Sequence, residues 1–406
     1  MIMAPAPVGR RIAAYRRRRG LSQAALAGLV GRSESWLSQV ERGVRSVDRL
    51  SVLLDMARVL HVEVEELTGK PWQLAPNGSP MVDGLTDLRQ AFTRYDHLLG
   101  RQTASAQPLD VLTAQLAATH ERYQAARYDE VIHVLPGLLR EAERHRAEAV
   151  GSAGHQRASL AYVSAYVLGA KLVTKLGVTN LAMLAADRAA TAAYGADSTV
   201  AVGMSVYQVA CALLRSDQPE DAEYLAVGMA EQLERERHTE SPEVLSVAGA
   251  LWLVSAVIGA RRADRSAAWE RLDQAERLAT VLGDDGNHAW TAFGPTNVAI
   301  HRVSVAAELG DAGGAIYAAL EVQENRLPAS LLSRRAQIHL DLAWAQSQRR
   351  QDSDATLHLL EAERIAPETI RHNVIVQEMI REMLSRGVRS KTRSLADLAG
   401  RAGLLN

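Results

Sequence analysis

Cysteine is almost absent from the sequence. Cys211 is the only one in 406 residues, so neither an internal disulfide nor a zinc site built from several cysteines can form within the chain. A single thiol suits a reducing compartment, and we therefore expect a cytoplasmic protein.

Long hydrophobic runs are also missing. Residues 1–10 lack the apolar stretch of a signal peptide. The longest uncharged apolar run, residues 244–260, is short for a membrane span and is interrupted by serine and glycine. Neighbouring segments are similarly apolar at helical spacing, so we predict a buried helix of an all-α protein there rather than a membrane anchor.

The motifs of common enzyme classes are not found. The sequence contains no Walker loop, no dinucleotide-binding glycine pattern, no nucleophile elbow and no His-Glu-x-x-His motif. Its twelve histidines do not recur at metal-ligand spacing, and residues 284–287 lack the alternating oxygen ligands and final glutamate of a calcium loop. We expect no catalysis, no cofactor and no bound metal.

The charge is distributed unevenly along a chain that is too long for one ordinary domain. Residues 1–70 hold twelve Arg or Lys against seven Asp or Glu, whereas the other residues hold 34 against 40. A basic segment attached to a larger acidic one is typical of nucleic-acid contact confined to the basic segment.

Short helices separated by glycine are predicted at the start of the chain. We expect a first helix over residues 10–19, a second over 23–30 and a third over 34–42. Ser22 and Ser33 stand at the N-cap positions of the second and third helices, where a hydroxyl accepts a hydrogen bond from a free backbone N–H. A glycine follows each helix and permits a tight turn.

Residues 20–43 read GLSQAALAGLVGRSESWLSQVERG, and further helices are expected near residues 48–60 and 64–67. This segment resembles the helix-turn-helix domains of the Cro and lambda-repressor family, also called the xenobiotic-response-element family. The resemblance rests on five residues in register: Gln23, Ala27, Gly31, Glu41 and Gly43.

The resemblance implies that the third helix enters the DNA major groove with its N-terminal residues facing the base edges. Glu34, Ser35 and Gln39 then hold base-reading positions, and Ser38 is a further candidate. Glu34 departs from many relatives, which carry Gln or Arg. Its carboxylate either accepts from a cytosine amino group or is merely tolerated beside the phosphates, and both interpretations stay open.

The resemblance also assigns contacts outside the base edges. Arg16 and Glu41 match an ion pair that bridges the first and third helices in this family. Candidates for phosphate contact, which sets register and affinity without reading sequence, are Gln23, Arg42, Arg45 and Arg49. The alternative for these residues is an ordinary solvated basic surface.

Proline and glycine concentrate in residues 70–80, KPWQLAPNGSP. This composition predicts a linker over residues 71–80, between a DNA-binding domain of residues 1–70 and a second domain of residues 81–406. Residues 83–99 then resume helical spacing with an apolar stripe. We interpret that stripe as either a dimerisation helix or the cap of the second domain.

The second domain has the pattern of helical hairpins in series. The second helix of each hairpin is expected to begin near the following residues: Tyr128, Asn180, Pro219, Asp264, Asp311 and Asp352. The last five starts lie 39 to 47 residues apart, a period that indicates an α-solenoid. We predict tetratricopeptide-like hairpins, with a HEAT-like stack as the alternative.

A helix-turn-helix domain followed by such hairpins resembles the peptide-sensing regulators of Gram-positive bacteria and a large actinobacterial regulator group. Residues 289–311, AWTAFGPTNVAIHRVSVAAELGD, are especially similar to the latter. The resemblance implies a transcriptional regulator whose DNA binding is controlled by a peptide or small-molecule effector. We expect a homodimer on an inverted-repeat operator.

Two polar stripes on apolar first helices are the candidate effector site. One contains Asn297, His301, Ser304 and Glu308, and the other contains Gln337, Asp341, Trp344 and Gln348. Trp290 and Phe293 are expected to add apolar contact. The alternative is that these residues simply face solvent, as some residues of every solenoid helix do.

A second function class stays open beside the regulator. The solenoid could dock a partner protein, with the helix-turn-helix domain only localising that complex on DNA. Sensing predicts that a low-molecular-weight extract shifts operator binding, whereas scaffolding predicts a stable protein that co-purifies with residues 81–406.

Overall fold

The computed structural model describes residues 8–44, 47, 50–60, 62, 67, 83–95, 107–235, 241–386 and 393–404. All regular secondary structure in these residues is helical, which confirms the predicted all-α class. The chain divides into two compact units, Met1–Met81 and Val82–Asn406. The predicted linker, residues 71–80, lies outside the described residues, as does most of the predicted fifth helix.

The first unit contains four described helices: α1 (Val8–Arg18), α2 (Gln23–Leu29), α3 (Glu34–Glu41) and α4 (Leu50–Leu60). They surround a small core whose fully buried members include Ile12, Leu26, Leu37 and Met56.

The close approach of α1 to α3 depends on a glycine. A Cβ added to Gly9 would lie only 2.0 Å from the carbonyl oxygen of Val40. Any larger residue at position 9 therefore has to push these two helices apart, and this contact was not expected from the sequence.

The second unit is a series of antiparallel hairpins. The first helices of the six hairpins are α6 (Leu109–Gln124), α8 (His155–Lys175), α10 (Thr199–Arg215), α12 (Pro242–Arg261), α14 (Pro295–Glu308) and α16 (Leu332–Gln348). The second helices are α7 (Tyr128–Glu148), α9 (Thr179–Tyr194), α11 (Pro219–Arg235), α13 (Arg265–Leu282), α15 (Ala312–Ala319) and α17 (Asp352–Ile365). Each second helix begins within one residue of its predicted start. The predicted tetratricopeptide-like α-solenoid is thereby confirmed.

First helices of successive hairpins pack against one another from α6 to α16, forming an inner layer. Helices α6 and α16 also contact each other, so the two ends of this layer meet. Gln124 at the end of α6 accepts a hydrogen bond of 3.3 Å from the Ser333 hydroxyl on α16. The inner layer therefore closes on itself.

Four further helices flank the hairpins: α5 (Leu85–Phe92) before them and α18 (Pro367–His372), α19 (Val374–Arg386) and α20 (Arg393–Arg401) after them. Leu85, Leu88 and Phe92 of α5 are fully buried in the core of the second unit. A Cβ at Gly169 would lie 2.6 Å from the ring of Phe92, so that ring rests directly on the α8 backbone. The apolar stripe of α5 caps the solenoid.

Helix α12 contains the apolar run of residues 244–260. By length and composition it is apolar enough to cross a membrane, but 89% of its most apolar window is buried within the protein. It packs against α10, α11, α13 and α14. This environment agrees with the predicted buried helix, because neighbouring helices cover most of its apolar surface.

Candidate functional site

One side of helix α3 packs in the core of the first unit, and the other side is exposed to solvent. The Ser33 hydroxyl accepts a 3.2 Å hydrogen bond from the Trp36 amide, so the predicted N-cap is formed. Leu37 and Val40 are buried, whereas Glu34 and Ser35 are exposed. The start of the helix is therefore fixed in direction and open to solvent.

The four predicted base-reading residues lie on one side of α3. Glu34 and Ser35 are exposed, and Ser38 and Gln39, one turn further on, are partly exposed. Residues at these spacings share a helix face, so the four side chains form one continuous surface. Hydroxyl, amide and carboxylate groups at this position match what a base edge in the major groove can accept or donate.

A buried polar network joins the three N-terminal helices. Arg16 on α1 makes a bidentate ion pair with Glu41 on α3, at 2.6 and 2.9 Å. Its remaining terminal nitrogen donates to the Leu21 carbonyl at 2.8 Å. The amide of Gln23 on α2 donates to the same carboxylate at 2.7 Å.

This network changes the ionisation of its members. Burial alone would raise the pKa of Glu41, but the hydrogen bonds from Arg16 and Gln23 outweigh burial and hold that pKa below its ordinary value. The hydrogen bond to Glu41 raises the pKa of Arg16 in turn. Both charges are thus retained although Glu41 is only 9% exposed.

The predicted phosphate contacts divide into three cases. The amide nitrogen of Gln23 is committed to Glu41, so this residue has a structural partner in addition to its proposed role. Arg42 is exposed, and its Nε donates to the Ser38 carbonyl at 3.2 Å, which leaves its terminal nitrogens towards solvent. Arg45 and Arg49 lie outside the described residues.

A cavity of about 620 Å³ lies within the inner layer of the second unit. All six first helices contribute to its wall, together with α19 and residues 289–291. Both predicted polar stripes line it, with every one of their members: Asn297, His301, Ser304, Glu308, Gln337, Asp341, Trp344 and Gln348. Trp290 lines it as well. The stripes therefore line the same cavity.

The carboxylate of Asp341 is the centre of the polar wall. It accepts hydrogen bonds from the Ser304 hydroxyl and from the Gln337 amide, the latter at 2.8 Å. Burial raises its pKa to about 6, which the two hydrogen bonds only partly oppose. Burial also lowers the pKa of His301 to about 4, so this imidazole is neutral at pH 7.

Asn297 carries an unused hydrogen-bond acceptor. The residue is 2% exposed, and its Oδ1 has no hydrogen-bond partner among the described residues. A buried amide oxygen without a donor costs about 1 to 3 kcal/mol. Asn297 also lines the cavity, so this unsatisfied amide belongs to the wall that a ligand would contact.

The prediction for Phe293 needs correction. Its side chain is fully buried in the hydrophobic core and does not line the cavity. A Cβ at Gly249 would lie 2.0 Å from the Phe293 ring, so the ring is packed directly on α12. Phe293 supports the wall from behind instead of offering apolar contact to a ligand.

Residues 284–294 form a constrained loop at one edge of the cavity. Ala289, Trp290 and Ala292 all have positive φ angles, between 49° and 59°, which non-glycine residues adopt only at a cost in energy. The Trp290 ring stacks on His120 with centroids 4.8 Å apart. Its carbonyl accepts hydrogen bonds from Lys171 at 2.7 Å and Gln124 at 3.1 Å.

Sequence reasoning missed the basic side chains that line the cavity, above all Lys171 on α8 and Arg334 on α16. A signal was present, because the lysine follows a long apolar stretch of α8 and is one of only four lysines in the chain. Two polar stripes on neighbouring helices were recognisable from their spacing. The contribution of α8 depends on how the hairpins stack in space, which the spacing does not reveal.

One group of side chains has the composition of a metal site: Asp129, Glu368 and His372. Its members already bond to one another and to Arg371, with His372 2.7 Å and Arg371 3.1 Å from the Asp129 carboxylate. Glu368 accepts from the Asp129 backbone amide at 2.8 Å. These contacts tie α7 to α18, and we interpret the group as structural.

Comparisons with known proteins bear mainly on the first unit. Residues 7–68 match the family model of a helix-turn-helix domain. No curated protein sequence matches the chain.

Among solved structures, the chain is similar to PlcR of Bacillus thuringiensis in complex with the peptide PapR7 and DNA, at 12% identity and a TM-score of 0.32, covering 86% of this chain and 99% of that one. It is also similar to ComR of S. thermophilus in complex with DNA and its signalling peptide ComS, at 12% identity and a TM-score of 0.28, covering 94% and 100%. The family match and the arrangement of α1 to α4 agree: the first unit is a helix-turn-helix domain.

Proposed function

We propose that the chain is a cytoplasmic, sequence-specific DNA-binding transcriptional regulator of the xenobiotic-response-element type, controlled by a peptide or small molecule bound in the cavity. The observation that carries the DNA-binding part is the solvent-exposed N-terminal end of α3, held in place by the Arg16–Glu41–Gln23 network. The cavity and its unpaired polar groups support control by an effector.

The proposed contacts divide between base edges and backbone. Gln39 can bond an adenine edge with both its amide atoms, and Glu34 can accept from a cytosine amino group. Ser35 and Ser38 can donate to or accept from either kind of base edge. Arg42 lies just beyond these residues, where a guanidinium favours a phosphate. Sequence preference thus arises from α3 and general affinity from the basic residues around it.

We further propose that two copies bind an inverted repeat. Two recognition helices related by a twofold axis need half-sites about 10 to 10.5 base pairs apart, centre to centre, or a multiple of that. Sedimentation at DNA-binding concentrations and footprinting measure both features. A monomer that protects a single half-site would contradict the dimer.

The test of DNA recognition is a pair of variants measured on operators selected from random or genomic fragments. Gln39→Ala is expected to reduce discrimination at one base position by about 1 to 3 kcal/mol. Arg42→Ala is expected to weaken all sequences alike and to reduce the salt dependence by about one phosphate contact. Equal effects of both variants on every sequence would contradict a base-reading role for Gln39.

Control by an effector is tested on the same operators. A low-molecular-weight extract is expected to shift operator binding of the parent chain but not of Asn297→Ala, whose basal DNA affinity stays unchanged. If this variant responds to the extract as the parent chain does, the effector does not act through the cavity. A stable protein that co-purifies with the chain, in place of any extract effect, would favour the scaffold function.

A further inference from the structure

The cavity of the second unit is basic within an acidic part of the chain. Seven Arg or Lys side chains line it against four Asp or Glu, although residues 71–406 hold 34 basic and 40 acidic residues. Charge of one sign gathered in a concave site attracts a ligand of the opposite sign.

Some of these cations are already neutralised and some are not. Arg261 pairs with Glu308 at 2.9 Å and Arg386 with Glu382 at 3.1 Å. Lys171 and Arg334, by contrast, make no ion pair with any carboxylate in the part of the chain that the structure describes. Lys171 donates only to the Trp290 carbonyl, which uses one of its three N–H groups.

Lys171 and Arg334 line the same cavity, and the charge of Arg334 acts on Lys171. Burial lowers the pKa of Lys171 to about 8, and the positive charge of Arg334 contributes to this shift. Burial is the main cause of the lowered pKa of His301, and the charge of Arg334 lowers it further. Like charges that line the same partly desolvated cavity repel each other, and an anion bound there would offset that repulsion.

The opposite wall of the cavity is apolar. Helix α12 contributes Val247, Leu253, Val254 and Val257 to the lining. The volume of about 620 Å³ suits a ligand the size of a drug molecule or a short peptide segment. A ligand that fits both walls has an apolar body and one anionic group.

We propose that the cavity binds an organic anion with an apolar body, whose anionic group is held by Lys171 and Arg334. The terminal carboxylate of a short apolar peptide and the carboxylate of a free organic acid share this chemistry. The inference rests on the proposed function only in making this ligand the effector, since binding itself requires no DNA.

The test uses a matched pair of fluorescent probes on the full chain. Anilinonaphthalene sulfonate has an apolar body with one anionic group, and phenylnaphthylamine has the same body without the sulfonate. We expect the chain to bind the sulfonate with one-to-one stoichiometry. Lys171→Met and Arg334→Met should each weaken sulfonate binding about tenfold or more, the loss of one charged hydrogen bond, and leave the neutral probe unaffected.

Arg302→Met is the control, because Arg302 lies on α14 but pairs with Glu276 and does not line the cavity. It should bind both probes as the parent chain does. Lys171→Met removes both a charge and the hydrogen bond to the Trp290 carbonyl. Arg334→Met removes a charge without breaking that hydrogen bond, so it tests the effect of charge alone. Unchanged sulfonate affinity in both cavity variants, or equal weakening of both probes, would overturn the proposal.

Displacement of the sulfonate then identifies the source of the ligand. Displacement by apolar peptides that have a free C-terminus, but not by the same peptides with an amidated C-terminus, would indicate a peptide ligand. Displacement by medium-chain carboxylic acids would indicate a free acid. Failure of both series to compete at millimolar concentration would also overturn the inference. Operator binding is measured in parallel, and a competing ligand without effect on it would contradict effector control while leaving the anion site intact.

Discussion

In the first unit, the carboxylate of Glu41 has three N–H partners supplied by Arg16 and Gln23. In the second unit, by contrast, the oxygen of Asn297 has no partner among the described residues, and Lys171 and Arg334 line the cavity without an ion pair to a described carboxylate. Glu41 and Asn297 are buried, and Lys171 and Arg334 are half-buried. Polar groups that are fully hydrogen-bonded to one another stabilise a fold. Polar groups left without a partner lower the free energy of unfolding, and a bound ligand can supply the missing partners. This difference separates a structural polar site from a ligand site.

The largest effect is expected from opening the closed network. Arg16→Met leaves the Glu41 carboxylate buried without its bidentate partner, which costs about 3 to 5 kcal/mol for a buried pair. Hydrogen exchange of α1 to α3 in the full chain measures this loss as weaker protection. Arg18→Met, on an exposed neighbour, should change protection by less than about 0.5 kcal/mol. Equal protection in the two variants would mean that the network contributes little.

In the cavity, removing a charged group is expected to raise the free energy of unfolding instead of lowering it. The pKa of Asp341 is raised to about 6 from an ordinary 3.8, so its protonated form stabilises the fold at low pH and this contribution disappears as the pH rises through 6. Asp341→Asn should therefore increase the free energy of unfolding by about 1 to 3 kcal/mol at pH 7 and have little effect near pH 4.

Denaturant unfolding at the two pH values measures this difference. Asp273→Asn, on the exposed side of α13, serves as the surface control. A loss of stability on replacing Asp341 at pH 7 would place this carboxylate with Glu41 as a structural group.

A smaller effect sharpens the account of Lys171. An anion stabilises the charged ammonium, so affinity for anilinonaphthalene sulfonate should fall as the pH rises through about 8, where Lys171 loses its proton. The other groups around it are His120 and Tyr123 on α6, Cys211 on α10, Arg334 on α16 and the nearby Lys175.

Two of these neighbours do not titrate in that window. The pKa of His120 is lowered well below its ordinary value by burial, and burial raises the pKa of Cys211 to about 11. Lys171→Met should therefore show a flat profile between pH 7 and 9 in a fluorescence titration. A profile as steep as that of the parent chain would assign the titration to another group.

The smallest effect is expected at Asn297. Asn297→Leu removes a buried acceptor that has no described donor, so the free energy of unfolding should not fall and should rise by about 1 kcal/mol, the lower end of the cost of such an acceptor. Ser205→Leu offers the contrast, because the buried Ser205 hydroxyl has a 2.8 Å partner on its own helix. A loss of several kcal/mol in Asn297→Leu would show that its oxygen is satisfied after all.

Local features were predictable from the sequence, and contacts between distant segments were not. The start of each second helix followed from capping residues and hydrophobic spacing, and the two polar stripes followed from the helical period. The packing of Gly9 on Val40 and the burial of Phe293 against Gly249 depend on how helices approach in space. Lys171 reaches the cavity from α8, where its side chain bonds the distant Trp290 carbonyl.

The contact between α6 and α16 also governs when the inner layer closes during synthesis. The contact between Gln124 and Ser333 spans 209 residues, so it forms only after five hairpins have been synthesised and stacked. At ordinary rates of translation this takes about ten seconds or more after α6 leaves the ribosome. During that interval the growing chain already contains a complete helix-turn-helix domain, but the wall of the cavity is incomplete. A chain whose synthesis stops before α16 therefore has the helix-turn-helix domain without the complete cavity.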